Sequence, residues 1–332
     1  MSEHGQTGLD EDARPDETEP NEDASELRAA AVALAQHGER LDKLLTALAP
    51  EFSRSHLQGL VADGRVQLDG RVARTPSTRV KAGQRVQVEL VRPAHELAFT
   101  PEDIPLAIVH EDEHVLVLDK PAGLVVHPAA GNWSGTLLNG LLAHDPASAG
   151  LPRAGIVHRL DKDTSGLMVV GRSLEAVTGL VRDIAARVVS RKYLALAHGR
   201  LAADEETIEA PIGRDPRVRV RMAVVAGGKP ARTDVEALAY ADGISAVRCT
   251  LHTGRTHQIR VHLAHRGHPL VADEVYGGRP ALGLRRQALH AARLAFRHPV
   301  SGEALAFESA PPADFASAWA QVAPGLQPWT ER

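Results

Sequence analysis

The run HRLDKDTSGLMVV, residues 158–170, places one carboxylate between two cationic side chains, immediately before an apolar stretch. Asp161 lies between Arg159 and Lys162. Two interpretations are open. Aspartate is common in turns because its side chain hydrogen-bonds to nearby backbone groups. Alternatively, a carboxylate held at the edge of a core can act as a nucleophile or a general base.

Two further runs carry residue types suited to an active site. GRTHQIRVHL, residues 254–263, contains Arg255 and Arg260 on either side of a glutamine. A guanidinium group stays protonated and presents a planar fork of donors to an anion. RKY ends in Tyr193, which supplies an aromatic ring in a chain with only 3% aromatic residues.

Five histidines between positions 252 and 268 raise the question of a metal site. His262 and His265 are three residues apart, a usable ligand spacing on a helix. However, the run contains no HExxH motif and no cysteine pair, and Asp273 and Glu274 lie past the predicted helix end. Packing, capping and phosphate contact explain these histidines more simply, so we predict no metal site.

The run RDPRVRVRM, residues 214–222, puts Arg217, Arg219 and Arg221 at alternate positions. This spacing predicts one face of a strand. Three cations on one face repel one another unless an anion lies across them. The run is therefore either a charged edge strand that resists aggregation or a contact for nucleic-acid phosphate, and the sequence favours neither.

Hydrophobic periodicity predicts a small domain over residues 38–92. It is preceded by a disordered tail, residues 1–26, with ten acidic residues and one arginine, and by a short helix through residues 27–37. Alternating residues on either side of Asp69–Gly70 predict a hairpin. A set of leucines spaced as one helical face precedes it: Leu41, Leu44, Leu45 and Leu48.

A linker is predicted over residues 93–103, and a large domain over residues 104–310. Strand-like runs outnumber helical ones there, so we predict an α+β fold rather than a doubly wound sheet. An amphipathic helix follows Ser173 as its N-cap, and residues 256–267 are also predicted to be helical. Residues 311–332 are predicted to be a peripheral C-terminal tail.

Composition limits the class of protein. The 332 residues include 43% hydrophobic ones, as in soluble globular proteins, and no apolar run approaches the length of a membrane span. Cys249 is the single cysteine, which excludes a disulfide within the chain and fits a reducing cytosol. The net charge is -4, and because residues 1–26 carry -9 the remainder carries +5. A basic body admits a polyanionic partner.

The catalytic-loop motif HRLDKDTSGL resembles that of the RluA-type family of RNA pseudouridine synthases. LDKPAGLVVHP, RKY, GRTHQIRVHL and HPLVADEVYG resemble the family's other motifs and occur in the expected order. The small domain resembles an S4 RNA-binding domain, which many members carry in this position. The resemblance spans about residues 38–310.

The resemblance implies a pseudouridine synthase fold, with a mixed, mainly antiparallel central sheet and flanking helices, preceded by a small S4-like α/β domain. It implies that the C1′–N1 bond of uridine breaks and that the uracil rejoins the sugar through C5. Asp161 matches the essential carboxylate, which either attacks C1′ or removes the C2′ proton. Tyr193 matches the tyrosine that packs on the target base. Arg260 matches the partner of the acid, and Arg159 an RNA contact beside the flipped nucleotide.

The implied partner is RNA, specifically large-subunit ribosomal RNA or its precursor, and the implied protein is a cytoplasmic monomer without membrane contact. No cofactor is expected, because the reaction is an isomerisation without net redox change or hydrolysis. Gly166 is expected to permit the turn before a strand. The alternative is a non-catalytic RNA-binding ribosome-assembly factor. The residues predicted to bind RNA are all arginines: Arg54, Arg65, Arg71, Arg159, Arg217, Arg219, Arg221 and Arg255.

Overall fold

The computed structural model describes residues 25–91, 98–129, 132–218 and 221–326. The chain divides between Ala94 and His95 into two compact units. Within the described ranges, no helix has both the length and the apolar character needed to cross a membrane. Residues 1–24 of the predicted acidic tail lie outside the described residues.

The N-terminal unit packs two helices on a four-stranded antiparallel sheet, with strand order β1-β4-β2-β3. Both helices turn the apolar faces predicted from their leucines toward that sheet, where Leu41, Leu45 and Leu57 are fully buried. The elements are β1 (Glu26–Ala31), α1 (Leu41–Leu48), α2 (Arg54–Ala62), β2 (Val66–Leu68), β3 (Arg71–Val72) and β4 (Arg85–Leu90).

The short helix predicted through residues 27–37 is wrong. Residues 26–31 form strand β1, which pairs with β4 over six residues, and only a single 3-10 turn follows at Leu34–Gln36. The alanine-rich run has a high helix propensity, but pairing with the edge of an existing sheet overrides it. The small unit therefore begins before residue 38, the boundary predicted from sequence.

The C-terminal unit is built on a nine-stranded sheet of mixed direction. Its strands run in the order β5-β6-β7-β14-β8-β13-β12-β9, with β15 paired to β14. Every pairing is antiparallel except that between β7 and β14, which confirms the predicted mixed, mainly antiparallel sheet.

The elements of this unit follow one another along the chain, and 3-10 turns at Pro146–Gly150, Pro152–Gly155 and Glu274–Tyr276 lie between them. They are β5 (Ile108–Glu111), β6 (Val115–Lys120), α3 (Leu137–His144), β7 (Ser165–Gly171), α4 (Leu174–Ala185), β8 (Ser190–His198), β9 (Glu205–Glu209), β10 (Ile212–Arg214), β11 (Met222–Val224), β12 (Arg232–Ala241), β13 (Ile244–Leu251), α5 (Gln258–His265), β14 (Leu289–Arg297), β15 (Ala304–Glu308) and α6 (Ala313–Val322).

The parallel contact between β7 and β14 depends on Gly166. Its φ is +116°, and a Cβ atom placed on it would lie 2.2 Å from the carbonyl oxygen of Ala291. Gly166 therefore lies within strand β7 rather than in the turn that we predicted, and its lack of a side chain lets two backbones approach closely.

Part of the predicted linker, residues 93–103, is packed rather than free. Residues 93–97 lie outside the described residues, but Ala98 is buried. Asn139 on α3 donates to the carbonyl oxygen of Thr100, and the Glu102 amide donates to the carbonyl oxygen of Asn139. Residues 98–103 thus belong to the C-terminal unit.

The prediction of a peripheral tail over residues 311–332 is wrong for residues 313–322. These form helix α6, whose Phe315, Ala318, Trp319 and Val322 are buried in a core cluster with strands β8 and β13. The Pro311–Pro312 pair suggested that the folded domain ends there, but Pro312 is the N-cap residue of this helix. Residues 327–332 lie outside the described residues.

Candidate active site

Asp161 lies in the loop between residues 156 and 165 that leads into β7. Its backbone carbonyl accepts a hydrogen bond from the Thr164 amide, which closes the turn. The carboxylate is therefore not needed as a cap, and it accepts instead from Arg260. Its side chain is 14% exposed, so the charge is sheltered yet open to a cavity.

Lys120 fixes this loop from below. Its fully buried ammonium donates to the carbonyl oxygens of Pro121, Leu124 and Lys162, at 2.7, 2.9 and 2.9 Å. The amide of Gly123 also donates to Lys162 O. Burial lowers the pKa of Lys120 to about 8, while neighbouring aspartates oppose that shift. Two segments distant in sequence are thus joined at one point.

Arg286 holds the same loop from the side of the C-terminal helix. One of its nitrogens, Nη1, donates to the carbonyl oxygen of Asp163 at 2.9 Å. The other two pair with both carboxylate oxygens of Asp314, in the first turn of α6. The helix that follows the sheet therefore contributes to the position of the loop.

Arg260, on α5, connects two carboxylates. Its Nε and Nη2 donate to the Asp273 oxygens at 2.7 and 2.8 Å, and its Nη1 donates to Asp161 Oδ2 at 3.0 Å. The guanidinium carbon also lies 5.0 Å from the centre of the Tyr276 ring. Burial lowers the pKa of Arg260, but the hydrogen bonds and charges of Asp273 and Asp161 outweigh it and raise the pKa above its ordinary value. The cation therefore stays charged beside Asp161.

His257 adds a second group beside the carboxylate. Its Nε2 lies 3.9 Å from Asp161 Oδ1, and its Nδ1 lies 2.8 Å from the hydroxyl of Tyr276. That hydroxyl in turn accepts from the Met222 amide. Burial lowers the pKa of His257, which favours its neutral form at pH 7.

Tyr193 lies on strand β8 and faces the same cavity as Asp161. The residue is 5% exposed. Burial raises the pKa of its hydroxyl to about 12, so the phenol is neutral at physiological pH. An aromatic ring at the wall of a cavity can stack on a nucleobase.

The cavity has a volume of about 960 Å³ and brings together five of the predicted site residues: Asp161, Tyr193, Arg260, Arg159 and Arg255. Among the described residues, most arginines that line it have no carboxylate partner. They are Arg153, Arg159, Arg187, Arg191 and Arg255. A carboxylate inside a cationic cavity suits an anionic substrate.

The three arginines predicted on the N-terminal unit differ in their contacts. Arg71 is exposed on β3, and Arg65 pairs with Glu89. Arg54 pairs with Asp42, a buried carboxylate that also accepts a hydrogen bond from Arg40. Neither Asp42 nor Arg40 was predicted from the sequence. The hydrogen bond from Arg40, followed by those from Gln58 and Arg54, outweighs burial and holds the Asp42 pKa well below its usual range.

The strand predicted from the alternating arginines is wrong. Arg217 and Val218 lie in the turn between β10 and β11, and Arg219 lies outside the described residues. Arg217 is exposed. The Arg221 guanidinium carbon lies 5.2 Å from the Tyr276 ring centre, which indicates packing behind the site. A proline and an aspartate at the start of the run favour the turn over extended pairing.

The clustered histidines point to separate partners. His252 contacts Asp234, His257 contacts Tyr276, and buried His262 contacts Thr233 Oγ1 and Ala210 O. His268 Nδ1 contacts the carbonyl oxygen of His198. No group of three metal-ligating side chains is found within the described ranges.

Five contributing residues were not predicted: Lys120, His257, Asp273, Tyr276 and Arg286. Arg286 lies outside the runs singled out in the sequence, and the other four occur within LDKPAGLVVHP, GRTHQIRVHL and HPLVADEVYG. The motifs located them, but their contacts depend on how distant segments meet.

Comparisons with known proteins agree with this geometry. Residues 114–265 match the family model described as RNA pseudouridylate synthase, and residues 39–86 match the S4 domain model. The chain is 49% identical over 303 residues to "Ribosomal large subunit pseudouridine synthase D" of Xanthomonas campestris, covering 87% of this chain and 91% of that protein. It is 50% identical over 301 residues to the protein of the same name from Pseudomonas aeruginosa, covering 87% and 93%.

A solved structure gives the same indication. "Human RNA Pseudouridylate Synthase Domain Containing 1" superposes with a TM-score of 0.51 at 29% sequence identity. The superposition covers 64% of this chain and 85% of the human one.

Proposed function

The chain belongs to the RNA pseudouridylate synthase family, and we propose that it isomerises uridine to pseudouridine in large-subunit ribosomal RNA, with Asp161 as the reacting carboxylate. The observation that carries this assignment is the contact between Asp161 Oδ2 and Arg260 Nη1 in the wall of a cationic cavity. The named relatives from Xanthomonas and Pseudomonas support ribosomal RNA as the substrate.

The reaction needs one carboxylate rather than two. The C1′–N1 bond breaks, the uracil turns, a C5–C1′ bond forms, the C5 proton is lost, and N1 takes up a proton, so that the product is an isomer of uridine. Because the uracil stays in the cavity, no water has to be activated, unlike in glycoside hydrolysis. Asp161 either attacks C1′ or removes the C2′ proton, and both routes require its ionised form. An isomerisation of this kind requires no redox cofactor.

Arg260 has two roles in this scheme. Its Nη1 donates a charged hydrogen bond to Asp161 Oδ2 at 3.0 Å, which holds the carboxylate in place. Its fork onto Asp273 also fixes the direction from which it approaches Asp161. Tyr193 offers its ring to the uracil once the base has left the RNA stack, which offsets part of a cost of a few kcal/mol.

RNA contacts are proposed on both units. Arg159 and Arg255 line the cavity, and Arg54, Arg65 and Arg71 present cations on the S4 unit. Arg217 remains a phosphate candidate in the turn between β10 and β11, and Arg219 remains a candidate from the sequence alone, whereas Arg221 packs on Tyr276. Phosphate contacts of this kind supply affinity and salt dependence rather than sequence choice.

The test is tritium release from large-subunit ribosomal RNA labelled at C5 of uridine, combined with carbodiimide mapping of the product. Wild-type protein is expected to release tritium, and Asp161→Asn to bind RNA without releasing any. Asp163→Asn is a matched control in the same loop and should retain turnover. Wild-type protein that binds this RNA but leaves no pseudouridine would favour the alternative, a ribosome-assembly factor.

We also propose that the protein acts as a cytoplasmic monomer. Asp161, Tyr193 and Arg260 all line one cavity of a single chain, which supports this proposal. Gel filtration with light scattering and cell fractionation test the two statements separately.

A further inference from the structure

Arg191 is a buried cation without an anion. It lies at the start of β8, two residues before Tyr193, and is only 4% exposed. Its Nη2 makes one long hydrogen bond, of 3.5 Å, to the carbonyl oxygen of Leu251, and its Nε has no partner within the described residues. A charge in such a position is costly unless it is paired.

His158 presents a second buried donor that lacks an acceptor. The Val169 amide donates to its Nε2 at 3.1 Å, so the ring proton must lie on Nδ1. Nδ1 is buried and, like Arg191 Nε, has no partner in the described part of the chain. Burial, together with the nearby charge of Arg191, lowers the pKa of His158 to about 3, which keeps the ring neutral.

Both side chains line the cavity that contains Asp161. Because strand residues alternate between faces, Arg191 lies on the same side of β8 as Tyr193. Gly254 leaves room for the guanidinium: a Cβ atom there would lie 3.0 Å from Arg191 Nη1. The two residues that carry the unpaired donors therefore both line the reaction space.

We propose that Arg191 and His158 bind one phosphodiester group adjacent to the target uridine. This inference rests on the proposed function, since the phosphate is that of the RNA substrate. A uracil carbonyl could accept hydrogen bonds here but would leave the guanidinium charge unbalanced. A phosphodiester supplies both a negative charge and acceptor oxygens, and every internal nucleotide has one on each side.

This site differs from the other cationic groups of the cavity in its hydration. Arg153, Arg159 and Arg187 are exposed residues, and water screens their attraction to any phosphate. Arg191 is almost fully shielded from solvent, so a phosphate placed against it interacts in a medium of lower dielectric constant. It therefore fixes the position of one phosphate relative to Asp161, whereas the exposed arginines attract RNA in general.

The test combines a protein variant with a neutral phosphate. A stem-loop RNA in which the wild-type protein forms pseudouridine is made with a single methylphosphonate linkage, either 5′ or 3′ of the target uridine. Single-turnover kcat/KM is measured for wild type, Arg191→Gln and Arg187→Gln. Arg187 is the matched control, an exposed arginine of the same cavity.

One of the two neutral linkages is expected to lower the wild-type kcat/KM about tenfold, as expected for a charged hydrogen bond. The same linkage should have no further effect on Arg191→Gln but should still impair Arg187→Gln. An equal loss in wild type and Arg191→Gln at both positions would overturn the proposal. Turnover of the unmodified RNA by wild type reports separately on the proposed function.

A second variant covers the case in which Arg191→Gln does not fold. Gly254→Ala places a methyl group against Arg191 Nη1 and is expected to reduce sensitivity to the same linkage. Circular dichroism confirms the fold. If the kcat/KM of folded Gly254→Ala responds to the methylphosphonate linkage as fully as that of wild type does, and if Arg191→Lys and Arg191→Met also keep this response, the result contradicts a phosphate at this site.

Discussion

Asp273 accepts two hydrogen bonds from Arg260, of 2.7 and 2.8 Å, and the third nitrogen of the guanidinium donates to Asp161 at 3.0 Å. Asp273 is 1% exposed, so water cannot replace it as the acceptor. Two bonds fix the plane of the guanidinium as well as its position. The residue that contacts the Asp161 carboxylate is thus itself oriented by a second carboxylate.

Asp273→Asn is therefore expected to slow the reaction without abolishing RNA binding. An amide can accept at only one of the two positions, so the guanidinium loses one charged hydrogen bond and part of its alignment. We expect kcat to fall by about ten- to a hundredfold, measured by single-turnover tritium release. Glu274→Gln changes the exposed neighbour and serves as the control. Equal rates for the two variants would refute this role.

Lys120 predicts an alkaline limb in the rate. Its pKa is lowered to about 8, chiefly by burial. Above that pH the neutral amine has two hydrogens for three carbonyl oxygens, and the loop that contains Asp161 loosens. The rate should decline with a midpoint near pH 8. Lys120→Met should be slow at every pH and should lack this limb.

The contribution of Lys120 to stability changes with pH in the opposite direction to its contribution to the rate. Its pKa is lower in the folded state than its ordinary value of 10.5, so the unfolded chain binds the proton more tightly. The penalty is fully present below about pH 8 and is relieved as the pH rises toward 10.5. The unfolding free energy of wild type minus that of Lys120→Met should therefore increase from about pH 8 to pH 10.5, while the wild-type rate falls over the same range. A parallel decline of both quantities would indicate general alkaline unfolding instead.

Phe315 tests whether α6 is part of the catalytic core. Its side chain is fully buried, between His290 on β14 and Trp319 on its own helix. Phe315→Ala should destabilise the C-terminal unit by about 3–5 kcal/mol, seen by calorimetry as a lower Tm for that unit. Gln321→Ala, on the exposed side of α6, should leave Tm nearly unchanged. A similar small shift for both variants would support the peripheral tail expected from sequence.

Gly166 tests the parallel contact of β7 and β14. In Gly166→Ala the new methyl group would lie 2.2 Å from Ala291 O, so one strand has to move. Gly277→Ala provides the control because its φ, +90°, is also positive but no atom lies within 4 Å of the added Cβ. We expect Gly166→Ala to be largely insoluble or inactive and Gly277→Ala to lose about 1 kcal/mol of stability. Equivalent behaviour would show that backbone strain, rather than the close approach, matters at Gly166.

Sequence reasoning succeeded where pattern and local structure agree. The helix after Ser173 begins at that cap, where the Ser173 hydroxyl accepts from the Ala176 amide, and residues 258–265 form the helix that contains Arg260. The motif around Asp161 located the carboxylate. Local spacing could identify these features because each lies within one continuous run.

It failed where contacts between distant segments decide the structure. The alanine run at residues 26–31 is a strand because β4 lies beside it, and Arg217 lies in a turn rather than a strand. Asp273 and Lys120 lie within motifs identified in the sequence. The motifs alone do not indicate that Lys120 contacts three carbonyl oxygens or that Asp273 contacts the Arg260 guanidinium. Arg191 was overlooked for the same reason, since an unpaired donor is defined by the absence of neighbours.

The bridge from Asp314 through Arg286 to Asp163 has a consequence for the order of biosynthesis. Translation produces the loop that contains Asp161 long before it produces α6, which follows the last strand of the sheet. A nascent chain that has emerged only as far as β15 therefore contains Asp161 but not the Asp314 carboxylate that supports its loop through Arg286. In such a polypeptide Arg286 would lack the Asp314 carboxylate that fixes it, so the loop is fully supported only once α6 has been synthesised and packed against the sheet.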